Sequence, residues 1–350
     1  MQPPTTLARY DIHRSYDWNY EQTPEPVAVD VPELSGNWEF LGMPVASPLG
    51  VPAGPLLNGK WCLYYASLGF DVLTYKTVRS GPRACYPLPN LQPVRCGTTL
   101  AGGERDLEVS ESMEGSWAVS FGMPSKAPEV WRRDIEATKA QLPQGKLLSV
   151  SVVGTIQDGW TIEDLAADYA RCAEWAVQSG ADVVETNFSC PNVSTCDGQL
   201  YQTPADARLV AECVRQTIGQ TPYLIKVGHV THPEAAQSLV ESVGEFVDGL
   251  AMTNSVATTV RDRQGDLMFA GDMRGICGAA TRVASTAQVA TFADLIRQGG
   301  TNLKIVGVGG AGTAKHVLQY LDAGADAVHI ATAAMVDPWV AIEIKRELAG

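Results

Sequence analysis

The run Glu185-Thr-Asn187-Phe-Ser189-Cys190-Pro191-Asn192 is the densest polar cluster in the sequence. Its carboxamides can offer donor and acceptor together to the edge of a planar ring. Its thiol can be a nucleophile, a general base or an inert filler. No Ser/His or Cys/His partnership stands beside it to mark a hydrolase. Lys76 and Lys226 each lie near the end of an otherwise apolar stretch. Lysine is seldom fully buried without a partner, so this pair calls for an anionic or electron-rich ligand. Thr253-Asn254-Ser255 adds another amide and hydroxyl.

Gly307-Val-Gly309-Gly310-Ala-Gly312 has the G-x-G-x-x-G spacing of a dinucleotide fingerprint. The following strand, Ala-Val-His-Ile-Ala-Thr over 327–332, ends without the acidic residue that holds a ribose, and no further strand comes after it. The glycines therefore read as a phosphate cup, with backbone N–H groups of Gly309 and Gly310 facing an anion at the start of the next helix. The five histidines form no ligand cluster and the eight cysteines contain no Cys-x-x-Cys pair, so no metal or iron–sulfur site is expected.

Such groups need a scaffold that aims them at one point. Near-continuous β-branched, apolar runs recur at 51–54, 71–78, 147–153, 182–187, 223–227, 247–253, 304–308 and 326–331. That is the pattern of strands buried on both faces. Helical stripes lie between them. Over 162–179, Leu165, Ala166, Tyr169, Ala173, Ala176 and Val177 share a face, and Thr203-Pro204 opens a second helix. Two more span 313–321 and 338–348. Alternating strands and helices predict an α/β fold, a (β/α)₈ TIM barrel whose active site lies in the loops after the strands. Barrels often bind phosphate after strands 7 and 8, where Gly309, Gly310, Ala331 and Thr332 fall. The long intervals 79–146 and 254–303 should lie over the mouth. Residues 1–40, rich in Pro, acidic and aromatic residues, read as an irregular N-terminal arm, leaving 41–350 as the barrel.

Composition narrows the function. With 45% hydrophobic and 19% charged residues over 350, the chain can bury a large core. A net charge of −13 argues against nucleic acid and anionic lipid as partners. No run approaches the ~20 apolar residues of a membrane span. The first twenty residues lack the apolar core of a signal peptide, so a cytoplasmic location is expected.

Taken in order, Tyr75-Lys76-Thr77, Asn187-Phe-Ser-Cys-Pro-Asn192, Ile225-Lys226, Thr253-Asn254-Ser255, Arg274-Gly-Ile-Cys-Gly278 and Val306-Gly-Val-Gly-Gly310 resemble the dihydroorotate dehydrogenase family of FMN-dependent barrels. The likeness runs from about Leu41 to Leu348. It implies an FMN phosphate held by Gly278, Gly309, Gly310, Ala331 and Thr332, and a flavin ring meeting Ala53, Gly54, Lys76, Asn187 and Lys226. It implies a substrate ring held by Asn187, Asn192, Asn254 and Ser255. Cys190 would be the base, as in soluble class 1 enzymes; class 2 enzymes carry Ser there. The base would take a proton beside a carbonyl while hydride leaves the adjacent carbon for flavin N5, and Lys226 would stabilise charge on the reduced ring.

Three positions depart from the family pattern. Val119 stands before Ser120-Phe-Gly-Met-Pro124 where the family has Asn, Ala331 replaces a phosphate-loop Gly, and Arg274-Gly275 replaces a Gly-Gly opening. The arm lacks the apolar helices of class 2. The expected partners are a small cyclic substrate and a second copy of the chain, with a separate electron-transfer subunit as a further candidate. The rival readings are a retired FMN-binding barrel serving as sensor or structural subunit, and a flavin-free phosphate-binding isomerase.

Overall fold

The computed structural model describes residues 7–96, 100, 102–103, 106–189 and 199–350. Eight parallel strands close into a barrel: β1 (Leu49–Val51), β2 (Val72–Val78), β3 (Leu147–Val152), β4 (Val183–Asn187), β5 (Tyr223–Lys226), β6 (Gly249–Met252), β7 (Lys304–Val308) and β8 (Ala327–His329). The pairing of Val328 with Leu49 joins the last strand to the first. All eight expected strands are present. The first lies earlier than its apolar run suggested, because Pro52 has no N–H to continue the ladder. Ala53 and Gly54 therefore fall in the loop above it.

Helices follow every strand. Ile162–Gln178, Pro204–Ile218, Ala314–Asp322 and Val340–Ala349 match the periodic stripes. Thr161 and Asp164 form a reciprocal capping box at the first of them. Gly59–Ser67 is helical without a legible stripe, because Trp61, Cys62, Leu63, Tyr64, Tyr65 and Ala66 are all buried.

Gly-Ala-Asp occurs at 180–182 and at 324–326, each time at a helix-to-strand joint at the N-terminal end of the barrel. Asp182 accepts from the N–H of Leu148 and Asp326 from that of Ile305, each 2.8–2.9 Å away. Asp248 does the same for Tyr223. Each carboxylate satisfies an amide within the first two residues of a neighbouring strand. The same end is closed by a hairpin, Trp38–Phe40 with Met43–Val45, whose Phe40 packs on Val72, Leu147, Val183, Leu224 and Ala327.

The register sets what stands above that floor. Inward residues fall in layers drawn from alternate strands. Thr74, Glu185, Ala251 and His329 make one such layer, and Lys76 and Asn187 head their strands at the mouth. His329 stacks on Phe40 at 5.7 Å and crosses over Gly50, where a Cβ would lie 2.3 Å from its ring. Burial, helped by the charge of Lys226, pushes its pKa down to about 3, so it is neutral.

The two long intervals do lie over the mouth, but as one unit. They form a six-stranded sheet in the order 256–258, 274–278, 116–119, 91–95, 107–109, 260–261. One face carries its own small core of Val94, Ala118, Val256 and Ile276. Antiparallel partners share a face, so Trp117 opposite Cys277 and Val119 opposite Leu91 look the other way, toward the barrel. The N-terminal arm contains a helix, Tyr16–Glu21, capped by Ser15. Its aromatics settle on this lid: Tyr10 and Tyr16 meet Phe121 edge to face at 5.9 and 6.2 Å. Among the described residues no helix is long and apolar enough to cross a membrane, and no group of His, Cys, Asp and Glu could hold a metal.

Candidate active site

Between the barrel mouth and the lid lies a cleft of about 900 Å³. Ala53, Gly54, Lys76, Asn187, Lys226, Asn254, Ala331 and Thr332 line it, all of them singled out from sequence. Thr332 also borders a second cleft of about 770 Å³, which holds Gly278, Gly310, Ala311 and Gly312. Gly309 lies at the junction, its carbonyl accepting from the Tyr320 hydroxyl at 2.6 Å. Ser255 is buried and faces neither cleft. Cys190 and Asn192 lie outside the described residues.

Lys226 is held by a carboxylate rather than left for a ligand alone. Its Nζ is 3.1 Å from Oε1 of Glu185, and both side chains are almost wholly buried. Glu185 belongs to the layer below Asn187, so the barrel interior supplies the counter-charge. A lysine that deep requires it. Lys76 is also buried and stands over the Phe121 ring at 5.8 Å.

Asn187 accepts from the N–H of Ser189 at 3.1 Å, and its Nδ2 faces the sulfur of Met123 at 3.4 Å. A thioether is a weak acceptor, so amide donor capacity remains for a ligand. Tyr169 fixes the strand end by donating to the Asn187 carbonyl at 3.0 Å. Asn254 donates its Nδ2 to the Ser189 carbonyl, which ties the loop after β6 to the loop after β4.

The lid side of the cleft is apolar: Leu91, Trp117, Val119, Phe121 and Met123. Sequence reasoning picked out only Val119 among these. The signal was the two-residue spacing of Trp117 and Val119, readable only once the strand's facing is known. Ser120, beside Val119, does not line the cleft. Its hydroxyl accepts from Nε of Arg274 at 2.9 Å, while its backbone exchanges bonds with Asn90. The loop is braced from behind by the fully buried Arg79, whose Nε donates to the Met123 carbonyl at 3.2 Å.

Cys277 is a second thiol on the cleft that the motif contained but the sequence reading did not assign. Its Sγ donates to the Asn254 carbonyl at 3.5 Å. Burial pushes its pKa up to about 12, with Lys226 opposing, so it is a neutral thiol at ordinary pH.

The cleft fits a flat ring with a phosphate tail. A Cβ built on Gly54 meets nothing within 4 Å, so a side chain there would project into the open slot. Farther along, Gly278, Gly309 and Gly310 have φ of 104°, 138° and 68°. Glycine adopts such conformations readily, and a turn of this kind can aim backbone N–H groups at a phosphate.

Comparison with known proteins places this architecture. A sequence profile described as Dihydroorotate dehydrogenase matches residues 37–350. The chain is 32% identical to the dihydroorotate dehydrogenase of Dictyostelium discoideum, over 98% of both chains. It is 32% identical to the dihydroorotate dehydrogenase (quinone) of Halobacterium salinarum, over 97% of this chain and 86% of that one. A crystal structure of Eimeria tenella DHODH in complex with ferulenol superposes with a TM-score of 0.72 at 19% identity, covering 93% of this chain and 86% of that one. At such low identity that likeness speaks for the barrel. Profile and full-length relative together carry more: the chain belongs to the dihydroorotate dehydrogenase family of flavin-dependent oxidoreductases.

Proposed function

We propose that the protein binds FMN and oxidises a CH–CH bond beside a carbonyl in dihydroorotate or a cyclic amide of similar size. The observation that carries this reading is the convergence of Lys76, Asn187 and Lys226 on one cleft floor, beside an open glycine slot and a glycine nest. Flavin, when bound, supplies the hydride acceptor. Gly278, Gly309, Gly310, Ala331 and Thr332 hold its phosphate through backbone N–H groups, and Ala53 and Gly54 bound the ring. Lys226, paired with Glu185, balances negative charge that develops there. Asn187, Asn192 and Asn254 orient the substrate. Cys190 takes the proton from the carbon beside the carbonyl, and the electron pair left behind forms the ring double bond as hydride departs from the neighbouring carbon.

Residues 1–40 serve in this reading as an arm bracing the lid, and 41–350 as the flavin barrel. The same reading carries a cytoplasmic homodimer that passes its electrons to a separate subunit or acceptor. Its support is the resemblance of the Cys-bearing loop to soluble class 1 enzymes.

The cofactor is tested directly. Acid precipitation of purified protein should release a yellow flavin with the mass of FMN, and dihydroorotate should bleach the native protein anaerobically. FAD, a colourless protein, or flavin that no cyclic amide reduces would turn the assignment toward a different ligand or a retired barrel.

Val119 tests the substrate. Orotate presents carbonyls, ring N–H groups and a carboxylate, yet the lid over the cleft is apolar and Ser120 is engaged with Arg274. An unmatched polar group in a desolvated pocket costs about 1–3 kcal/mol, so the native chain should turn over dihydroorotate ~10–100-fold less efficiently than Val119→Asn. The measurement is kcat/KM for both proteins. Equal values would show that Val119 does not discriminate.

A further inference from the structure

The second cleft contains more than a glycine nest. Arg282, which opens the helix Arg282–Gly299, and His316, in the first turn of Ala314–Asp322, line it together with Gly278, Gly310 and Thr332. The Arg282 Cβ is only 3.0 Å from where a Cβ on Gly310 would lie, so its side chain springs from the edge of the nest itself. Eight other arginines are ion-paired, yet among the described residues no carboxylate lies within 4.0 Å of Arg282 and no side-chain hydrogen bond engages its guanidinium. Nδ1 of His316 is buried and likewise lacks a partner. Arg282 thus brings unspent donors to the cleft that the glycine turn opens into, and the His316 ring lines the same cleft.

The acids of this cleft do not fill that need. Asp337 accepts from the N–H of Trp339 at 3.2 Å, and Glu343 stands exposed on the terminal helix. Both form the outer rim. A half-buried guanidinium beside a ring of backbone N–H groups makes a site for an anion with several acceptor oxygens, because the planar fork can bond two of them at once.

We propose that Arg282 and His316 are side-chain ligands for a phosphomonoester dianion seated on the Gly278/Gly310 nest. Under the FMN reading, on which this inference rests, that group is the flavin phosphate. The two side chains then decide FMN over riboflavin, a choice the backbone nest alone would make less sharply.

Apoprotein stripped of flavin should bind FMN and riboflavin with a large affinity ratio by fluorescence titration. Arg282→Ala removes a charge-assisted contact and should weaken FMN ~10–100-fold while leaving riboflavin unchanged. Arg282→Lys should recover part of the loss, and His316→Leu should show a smaller loss confined to FMN. Riboflavin affinity and thermal midpoint report whether each variant is folded. An FMN-to-riboflavin ratio equal to native in Arg282→Ala overturns the proposal, as does tighter binding of FAD than FMN. If native apoprotein binds neither flavin, the cofactor reading fails instead. Calorimetry with inorganic phosphate then decides the anion site alone: binding lost in Arg282→Ala supports it, and no binding to the native chain overturns it.

Discussion

Cys190→Ala is expected to bind flavin like the native chain yet lose ~10²–10⁴-fold in the rate at which substrate reduces it, the usual share of a general base. Cys190 lies outside the described residues, and its role rests on its place in the run Asn187–Asn192. The structure adds a contrast. Cys277 is the thiol seen on the cleft, and burial keeps it protonated with a pKa of about 12, so it is poorly suited to accept a proton near neutrality. Cys277→Ala should therefore leave the reduction rate within a few-fold of native, whereas Cys190→Ser should retain part of the activity. Stopped-flow reduction under anaerobic conditions separates these cases. Normal reduction in Cys190→Ala together with a collapse in Cys277→Ala would assign proton transfer to the wall of the lid.

Glu185→Ala should destabilise the fold by about 3–5 kcal/mol, the cost of leaving one member of a buried ion pair without the other. Lys226 has its Nζ 3.1 Å from Glu185 and both are nearly inaccessible to water, so solvent cannot take over the role. Glu185→Gln keeps a hydrogen-bonding partner and should cost less. The readout is the urea midpoint at unchanged slope. A loss below about 1 kcal/mol in Glu185→Ala would mean that Lys226 finds another counter-charge in the barrel. Glu185→Ala should also lower flavin affinity, because Lys226 would no longer be held at the cleft floor.

Barrel and floor were legible because their signals are local. Each strand is a continuous apolar run, each matched helix carries a periodic face, and Lys76, Asn187 and Lys226 follow from lying at strand ends. A strand end in a closed parallel barrel has only one direction to face. The glycine turn after β7 was legible for a similar reason, since glycines between a strand and a helix need no distant partner to form it.

What escaped was everything set by pairing across long sequence separations. Residues 79–146 and 254–303 read as two insertions, but their strands are two to five residues long and complete one another, with Val119 opposite Gly275. No periodicity that short specifies a partner more than a hundred residues away. The apolar lid over the cleft, the engagement of Ser120 by Arg274, and Cys277 on the wall all follow from that pairing.

The sequence by itself therefore determined the barrel, the order of its strands, and the polar groups its strand ends deliver to the mouth, because backbone hydrogen bonding and apolar periodicity act within a few residues. Only the tertiary structure decided which of those groups are already spent. Lys226 is paired with Glu185 from the layer beneath it, Asn254 is tied to Ser189, and Arg282 has no carboxylate beside it among the described residues. Such outcomes depend on distances of a few ångströms between residues far apart in the chain, and electrostatic and hydrogen-bond energies are settled at that range.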